Sequence, residues 1–294
     1  MRSSPRGPAP RRPEIDLRTC TALLVEWAVC IAAIGLALMN FSLPVIFISM
    51  CVIATRQHAL FILYHDAVHG LLARNRRLND LIINVFVGIP LLLPVHLYRR
   101  FHLSHHAYFG TGHDTERILL YRWQPWDYLP LSRARLLRQL LGDLLLVNML
   151  RTGVALWREQ RNPQSLLRLP PTRITPETIV LIALSGAMLL LWAASDPASL
   201  GRVALLWFGT FFTLTQLIQK VRSFAEHGPL DSGEATYSWR PGLLGRLTLW
   251  PYNINYHREH HAHPAVPWHA LASHFPDAGG ARSSAELRDL LLAS

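Results

Sequence analysis

Long apolar runs, rather than an alternation of apolar and polar positions, organise this chain. A membrane span needs about 20 mainly apolar residues, and four runs approach that length: residues 21–39, 43–63, 178–194 and 200–218. Only the turns Asn40-Phe41-Ser42 and Ser195-Asp196-Pro197 separate the members of each pair. The pattern therefore predicts an all-α integral membrane fold with two transmembrane helical hairpins, which gives four spans.

Positive charge predicts the orientation of these hairpins. The chain of 294 residues has a formal net charge of +10, and Lys220 is its only lysine, so nearly all the cations are arginines. Most of them lie in the segment before the first run and in the region between the hairpins, whereas the two short turns contain none. The positive-inside rule then places both termini and the central region in the cytoplasm. No nucleic-acid-binding module accompanies the charge, so we expect it to face lipid headgroups rather than nucleic acid.

Composition also divides the chain into two parts. Residues 1–19 are rich in Pro, Ser and Arg and are predicted to form a disordered basic tail. Residues 20–294 are predicted to form a single membrane-embedded catalytic domain. Glu26 interrupts the first apolar run, which favours a retained helix over a cleaved signal peptide.

Residues 81–98 are apolar enough to span a membrane, but Gly88, Pro90 and Pro94 interrupt them. A single crossing would place the histidines before and after this segment on opposite sides of the bilayer. We therefore expect the segment to lie in the interface, or to dip into the membrane and return.

Histidines gather at three places in this apolar chain, with one more between the second and third. Residues four apart lie on one face of an α-helix, so each cluster can present two or three imidazoles together. The candidate metal ligands are His65, His69, His102, His105, His106, His227, His257, His260 and His261. Imidazole suits iron, zinc, copper and nickel, and nine nitrogens exceed what one four-coordinate zinc uses. The pattern predicts two metal ions with four or five nitrogen ligands each, in a cytoplasmic helical cap at the membrane surface.

Acidic side chains lie close to every cluster, namely Asp66, Asp114, Glu116, Glu226 and Glu259. Carboxylates commonly accept a hydrogen bond from the second nitrogen of a metal-bound imidazole. Adjacent helical residues point about 100° apart, so each acid should support a histidine of another segment. Asp66, Glu226 and Glu259 are the three that we assign to the catalytic machinery in this supporting role.

Other histidines lack this spacing. His263 precedes Pro264 and ranks below its neighbours as a ligand, and His58 is expected to serve packing or a surface role. Structural roles are expected for His96, His113, His269 and His274. Near the C-terminus, Ser283 and Glu286 form a capping-box pattern that predicts a short helix packed through leucines on the rest of the chain.

The order HxxxH, HxxHH, HxxHH across two hairpins resembles the membrane fatty-acid desaturase and hydroxylase superfamily. The similar segments are residues 65–70, residues 102–111, residues 225–228 with the single His227, and residues 253–268. The resemblance implies a non-haem di-iron centre whose two Fe ions are held by the nine histidines. It implies an enzyme that uses dioxygen and external electrons to desaturate the acyl chain of a lipid or fatty acyl thioester. Ser223 stands where some members have an asparagine that holds a metal-bound water.

The resemblance does not by itself identify the electron donor or the reaction that the enzyme catalyses. Neither a haem-binding HPGG motif nor a GxGxxG motif is present, so a separate electron donor, a ferredoxin or a small haem protein, is expected. Hydroxylation and carotenoid ketolation are alternatives within the superfamily, since the first box HDAVHG is also similar to that of carotenoid ketolases. A membrane zinc hydrolase and a haem-bearing electron carrier are alternatives of other classes. They differ in the metal, which is one zinc ion for the first and a haem for the second.

Overall fold

The computed structural model describes residues 12–121, 131–168, 176–227, 236–276, 281–283 and 286–291, and these are mostly helical. The elements are α1 (Leu17–Met39), α2 (Leu43–Val68), α3 (Arg76–Ile83), α4 (Val95–Tyr108), α5 (Thr115–Tyr121), α6 (Arg133–Leu144), α7 (Val147–Glu159), α8 (Pro176–Ser195), α9 (Pro197–Ala204), α10 (Gln216–His227), β1 (Trp239–Arg240), α11 (Leu243–Leu247), α12 (His257–Ala262), α13 (Trp268–His274), β2 (Arg282–Ser283) and α14 (Glu286–Leu291). Two π-helical turns, Leu205–Gly209 and Phe211–Thr215, join α9 to α10 in one continuous helix, Pro197–His227.

The first hairpin, α1 and α2, forms as predicted. Both helices are long and apolar enough to span a membrane, and they pack along one another through a buried apolar seam. The helix α1 begins at Leu17, four residues before the predicted span. Asp16 caps it by accepting the backbone N–H of Arg18 at 3.2 Å and the hydroxyl of Thr19 at 2.5 Å. Helix thus extends into the predicted tail, whose residues 1–11 lie outside the described part of the chain.

The second hairpin is confirmed only in part. The helix Pro197–His227 is a third candidate span, and the Asp196 carboxylate caps its start by accepting the Ser199 N–H at 3.0 Å. In α8, the stretch Ser185–Ser195 is apolar but shorter than a span. The pair α6 and α7, which the apolar pattern had not singled out, together reach the composition of a span but bend by 73° between them. The described residues therefore contain three candidate spans, or four if the bent pair is one.

Residues 81–98 turn back, as expected. The helix α3 ends at Ile83, a π-helical turn follows at Asn84–Gly88, and the Asn84 side chain accepts the backbone N–H of Val95, the first residue of α4, at 2.8 Å. A Cβ at Gly88 would lie 2.5 Å from Asn84 Oδ1 and 3.1 Å from the Leu93 carbonyl oxygen, so any larger residue would displace the Asn84 side chain that holds this turn. The ends of the segment are therefore close together, and no single crossing separates α2 from α4.

This broken segment exposes backbone carbonyls that the surrounding helices satisfy. The indole of Trp27 donates to the carbonyl of Phe86 at 2.8 Å, and that of Trp207 donates to Pro90 at 2.8 Å. The Tyr64 hydroxyl donates to the Leu93 carbonyl. Irregular backbone in apolar surroundings is stable only where protein groups replace the missing hydrogen bonds. Side chains of the spanning helices thus hold the turned-back segment in place.

The C-terminal elements close the fold over the same end of the helices. The strands β1 and β2 pair in parallel. One half of the predicted capping box forms, since the Glu286 carboxylate accepts the N–H of Ser283 at 2.5 Å, and it also accepts the Ser283 hydroxyl at 2.8 Å. In α14, Leu287 packs on the cluster around Trp239, and Leu291 packs on the cluster of Leu131 and Phe224. The predicted packing of this helix on the rest of the chain is thereby confirmed for these two leucines.

Arg99 joins three of these elements. Its guanidinium donates to Asp80 in α3 at 2.6 and 2.8 Å and to the carbonyl of Val68, the last residue of α2, at 2.9 Å. We expect Arg99→Ala to lower the free energy of unfolding by about 2–3 kcal/mol, because it removes a two-point ion pair with a partly buried carboxylate and a donor to the Val68 carbonyl. Thermal unfolding of the detergent-solubilised protein measures the effect. The adjacent exposed Arg100 is the control, and Arg100→Ala should change stability by less than about 0.5 kcal/mol; equal effects of the two substitutions would contradict the prediction.

Candidate metal centre

The four histidine groups of the sequence meet at one place. His65 lies in the last turn of α2 and His69 is its C-cap, after which Gly70 ends the helix with a left-handed φ of 75°. The second group projects from α4, His227 is the last residue of α10, and the third group forms most of α12. All these helix ends lie around a common centre, which requires the turned-back path of residues 84–95.

The nine candidate ligands divide into two sets. The first set contains five imidazoles with ligand atoms within 4.8 Å of one another: His65, His69, His102, His106 and His260. The second contains His105, His227 and His261, and His227 also lies within that distance of His257 and Glu226. Five imidazoles thus lie at one locus, and the two smaller groups share His227; the division of the nine histidines between two ions stays a prediction.

The distances between ring nitrogens suit shared coordination. The Nε2 atom of His102 lies 3.0 Å from the Nε2 atoms of His69 and His106, and that of His257 lies 3.0 Å from His261 and 3.2 Å from His227. Two nitrogens bound to one ion at about 2.1 Å, with bond angles of 90–110°, are separated by roughly 3.0–3.4 Å. The imidazoles therefore already have the spacing that ligands of a common metal adopt.

Several buried ring nitrogens have no hydrogen-bond partner in the protein. They include both nitrogens of His65 and of His260, and Nε2 of His105. His260 is fully buried, and His65 is 2 % exposed. The Nδ1 atoms of His227 and His257 bring the number to seven. An unsatisfied buried polar atom costs about 1–3 kcal/mol, so this arrangement is unfavourable unless another group binds these nitrogens. Metal ions fit these donor atoms, which are imidazole nitrogens together with one neighbouring carboxylate, that of Glu226.

Burial keeps most of these rings neutral. Desolvation, followed by the neighbouring imidazoles, holds the pKa values of His69, His260 and His261 well below 6.5, and desolvation lowers the pKa of His106 to about 3. Only a neutral imidazole has a lone pair for a metal. His105 differs: burial lowers its pKa, but Glu116 and Asp114 outweigh this and raise it.

Three carboxylates contact imidazoles of the cluster. The two carboxylate oxygens of Asp114 lie 2.9 and 3.0 Å from His105 Nδ1 and accept its hydrogen bond. A carboxylate oxygen of Glu116 lies 3.2 Å from His102 Nδ1. Glu226, fully buried, lies 3.3 Å from His257 Nδ1 on another helix. Each leaves the Nε2 atom of its histidine available for a metal. Glu226 thus takes a position that suits its predicted supporting role, and Asp114 and Glu116 do so as well.

Two predicted supporting acids have other contacts. Asp66 accepts the backbone N–H of Trp268 at 2.7 Å, and its nearest approach to His65 is 3.8 Å, beyond hydrogen-bond distance. Glu259 accepts from the Ser238 hydroxyl. The assignment of Asp66 to a ligand on another segment is therefore corrected: its side chain points from α2 to the start of α13 and anchors that helix beside the third histidine group.

The remaining histidines stay outside both sets. His263 packs against the ring of Phe275, and the fully buried His58 bonds to the Leu249 carbonyl at 3.1 Å, so it serves packing and not the surface. His269 pairs with Asp16 at 3.2 Å.

The sequence did not reveal Arg222, whose guanidinium lies 2.9 Å from Glu226 and places a buried cation beside the cluster. Its i, i+4 spacing to Glu226 was the available signal.

A cavity of about 430 Å³ leads to this centre. One wall, the imidazole wall, consists of His65, His102, His105, His227 and His257. The other walls are mainly apolar, with Phe61, Leu97, Phe101 and Phe211 among them. Five of the nine candidate ligands therefore border a mainly apolar space, which suits an alkyl chain better than a water-soluble molecule.

Comparison with known proteins agrees with this arrangement. The chain matches the Fatty acid desaturase family over residues 40–283, and it therefore belongs to this family of integral membrane oxidoreductases. The resemblance stated from the histidine boxes is confirmed.

Three curated relatives illustrate the range of the family. A sphingolipid delta(4)-desaturase of Drosophila melanogaster is 27% identical over 213 residues, which cover 71% of this chain and 59% of that protein. An sn-1 oleoyl-lipid 12-desaturase of Arthrospira platensis is 25% identical over 266 residues, 80% of this chain and 68% of the relative. A ceramide hydroxylase of Caulobacter vibrioides is 28% identical over 224 residues, 64% and 60% respectively.

The ligand assignment predicts a contrast between two neighbouring histidines. We expect His260→Ala to lose most of its bound metal, because His260 belongs to the five-imidazole set and is fully buried. His263→Ala, three residues away and outside both sets, should retain its metal. Elemental analysis of both purified variants measures this, and full metal content in the His260 variant would contradict the assignment.

Glu226 provides a second test. In Glu226→Gln the size of the side chain is kept, but the negative charge that lies 3.3 Å from His257 Nδ1 is lost, so we expect part of the metal to remain and activity to fall about 10–100-fold. Asp289→Asn, an exposed acid of α14, is the matched control. Metal content and turnover identical to those of the unaltered protein would remove Glu226 from the supporting role.

Proposed function

We propose that this chain is a membrane-bound non-haem di-iron oxidoreductase that uses dioxygen and external electrons to introduce a double bond into the acyl chain of a lipid. The observation that carries the proposal is the division of nine converging imidazoles into sets of five and four beside an apolar cavity. Iron accepts nitrogen ligands of this kind. Family membership and the lipid-modifying relatives support a lipid as the substrate.

Each set has a definite role in this proposal. One ion is held by His65, His69, His102, His106 and His260, and the other by His105, His227, His257 and His261. When bound, the iron pair supplies the oxidising power needed to remove hydrogen from an unactivated alkyl chain. The protein supplies the geometry of the ligands, through Asp114, Glu116 and Glu226, and an enclosed apolar space.

The cavity walls position the chain to be oxidised. The rings of Phe61, Phe101 and Phe211 leave room for an alkyl chain, and burial of that chain excludes water from the imidazole wall. A bound chain restricted in this way presents a limited set of its carbons to the centre, which is the contribution of positioning to the rate. Because the spanning helices flank the cavity, we propose that the lipid enters laterally from the bilayer.

The remaining parts of the proposal concern topology and partners. We propose that the termini and the metal centre face the cytoplasm, since arginines flank the predicted spans on that side. Electrons then come from a separate cytoplasmic ferredoxin or small haem protein. The acyl chain is carried either by an intact lipid or by an acyl thioester.

Hydroxylation is the second candidate. A ceramide hydroxylase is among the relatives, at an identity similar to that of the desaturases. The two outcomes differ only in whether a second hydrogen leaves or oxygen is retained, and the ligand set is compatible with both. Their separation depends on the placement of the chain in the cavity.

One preparation tests the proposal. Cells expressing the chain are analysed for new double bonds, hydroxyl groups and oxygenated carotenoids, and the purified protein is analysed for iron and zinc. We expect about two iron atoms per chain and a new acyl double bond, both absent from cells with His260→Ala. A hydroxylated lipid would favour the second candidate and an oxygenated carotenoid a ketolase. One zinc without iron would indicate a hydrolase and overturn the proposal.

A further inference from the structure

The cavity has a polar end that the metal centre does not account for. Gln216 and Gln219, both on α10, line it together with Lys220, opposite Gln160 of the α7–α8 connection. The helix Pro197–His227 is a candidate membrane span. Polar side chains within a span are costly and are usually found where they face a partner or a functional cavity.

The two glutamines share a face with the metal centre. Positions 216, 219, 223 and 227 follow the i, i+3, i+7, i+11 spacing that keeps side chains on one side of a helix. Ser223 and His227 of this stripe also line the cavity. A molecule that bound the glutamines could therefore extend along this stripe with its chain directed toward the imidazole wall.

Among the described residues, no hydrogen bond engages the side-chain amide of Gln216 or Gln219, and both are only half buried. By contrast, the amide of Gln160 is committed, since it donates to the Leu167 carbonyl at 2.9 Å. Each free primary amide offers two donors and one carbonyl acceptor. The pair is thus suited to a ligand group that both donates and accepts hydrogen bonds.

The charges around this end are already neutralised. Lys220 pairs with Asp143, which also accepts from Asn148 at 2.9 Å, and Arg222 lies 2.9 Å from Glu226. These are the two cationic side chains among the described residues that line the cavity. A phosphate or free carboxylate would have to compete with Asp143 for Lys220 and with Glu226 for Arg222, at a substantial cost of desolvation. The polar end therefore favours an uncharged group.

We propose that Gln216 and Gln219 bind the secondary amide of an amide-linked lipid whose chain occupies the apolar cavity. The lipid N–H donates to one glutamine carbonyl, and the lipid carbonyl accepts from the other glutamine amide. This assignment rests on the proposed function, since it names the class of lipid that the same cavity admits. It makes the two glutamines specificity-determining residues.

A matched pair of lipids tests the amide directly. N-palmitoylserinol and 2-palmitoylglycerol have the same chain and hydroxyl groups, but the amide N–H of the first is an ester oxygen in the second. Binding to the full-length protein in detergent is followed through the fluorescence of Trp157, which lines the cavity, with Trp157→Phe as the blank. We expect the amide lipid to bind about tenfold more tightly, the equivalent of one hydrogen bond to a partner that would otherwise be left unpaired.

The double variant Gln216→Met with Gln219→Met should reduce this tenfold ratio to about one, whereas Gln164→Met, on an exposed loop, should keep it. The ratio within each variant does not depend on how much of the protein is folded. Equal binding of the two lipids by the unaltered protein, or an unchanged ratio in the double variant, overturns the proposal. Tighter binding of palmitate than of either neutral lipid overturns it as well.

The single variants Gln216→Met and Gln219→Met, each expected to lower the ratio about threefold, serve if the double variant does not fold. Lipid binding requires no turnover, so failure of the amide-binding proposal can be distinguished from failure of the proposed oxidoreductase function. A protein that prefers the amide lipid but contains no iron would retain this inference as a binding property and lose the assigned reaction.

Discussion

Burying imidazole nitrogens without hydrogen-bond partners is costly, and this constraint governs the rest of the structure. His65 and His260 alone contribute four such atoms within contact distance of further histidines. A protein tolerates this only if a ligand recovers the cost, and metal ions recover it for nitrogens spaced about 3 Å apart. The histidine cluster is therefore stable only with a ligand bound to its nitrogens. The surrounding helices hold the imidazoles in place, so that these nitrogens do not form hydrogen bonds with other groups.

The turned-back segment is the structural consequence of that constraint. Bringing α2 and α4 to the same cluster requires residues 84–95 to reverse within apolar surroundings. The reversal leaves carbonyls unsatisfied, and Trp27, Trp207 and Tyr64 each donate a hydrogen bond to one of them. The spanning helices thus do two things at once: they provide the apolar surface for the bilayer and the donors that make the reversal possible. The π-helical turns of Pro197–His227 are held in a similar way, since Gln57 donates to the Trp207 carbonyl at 3.0 Å.

The sequence predicted what depends on local spacing and missed what depends on how segments approach one another. Helical periodicity brings His102 and His106 to one face whatever the tertiary fold, so the clusters were recognisable without a structure. Which acid supports which histidine is set by the approach of segments distant in sequence. Asp66 was expected to orient an imidazole, yet the start of α13 reaches it first with the Trp268 N–H. The bend between α6 and α7 was likewise invisible, because no proline marks it and the left-handed Leu146 at the break carries no sequence signal.

The distribution of charge links the metal centre to the membrane. The chain is strongly basic overall, yet three cations close to the centre or its cavity are paired with carboxylates: Arg222 with Glu226, Lys220 with Asp143 and Arg99 with Asp80. An unpaired cation beside neutral imidazoles would oppose the binding of a further positive ion. The same pairing weakens the attraction of the cavity for anionic groups. The unpaired positive charge then lies on the outer surface, where it can face lipid headgroups. A site that must hold two metal cations and admit an uncharged chain needs both conditions, and the ion pairs meet them together.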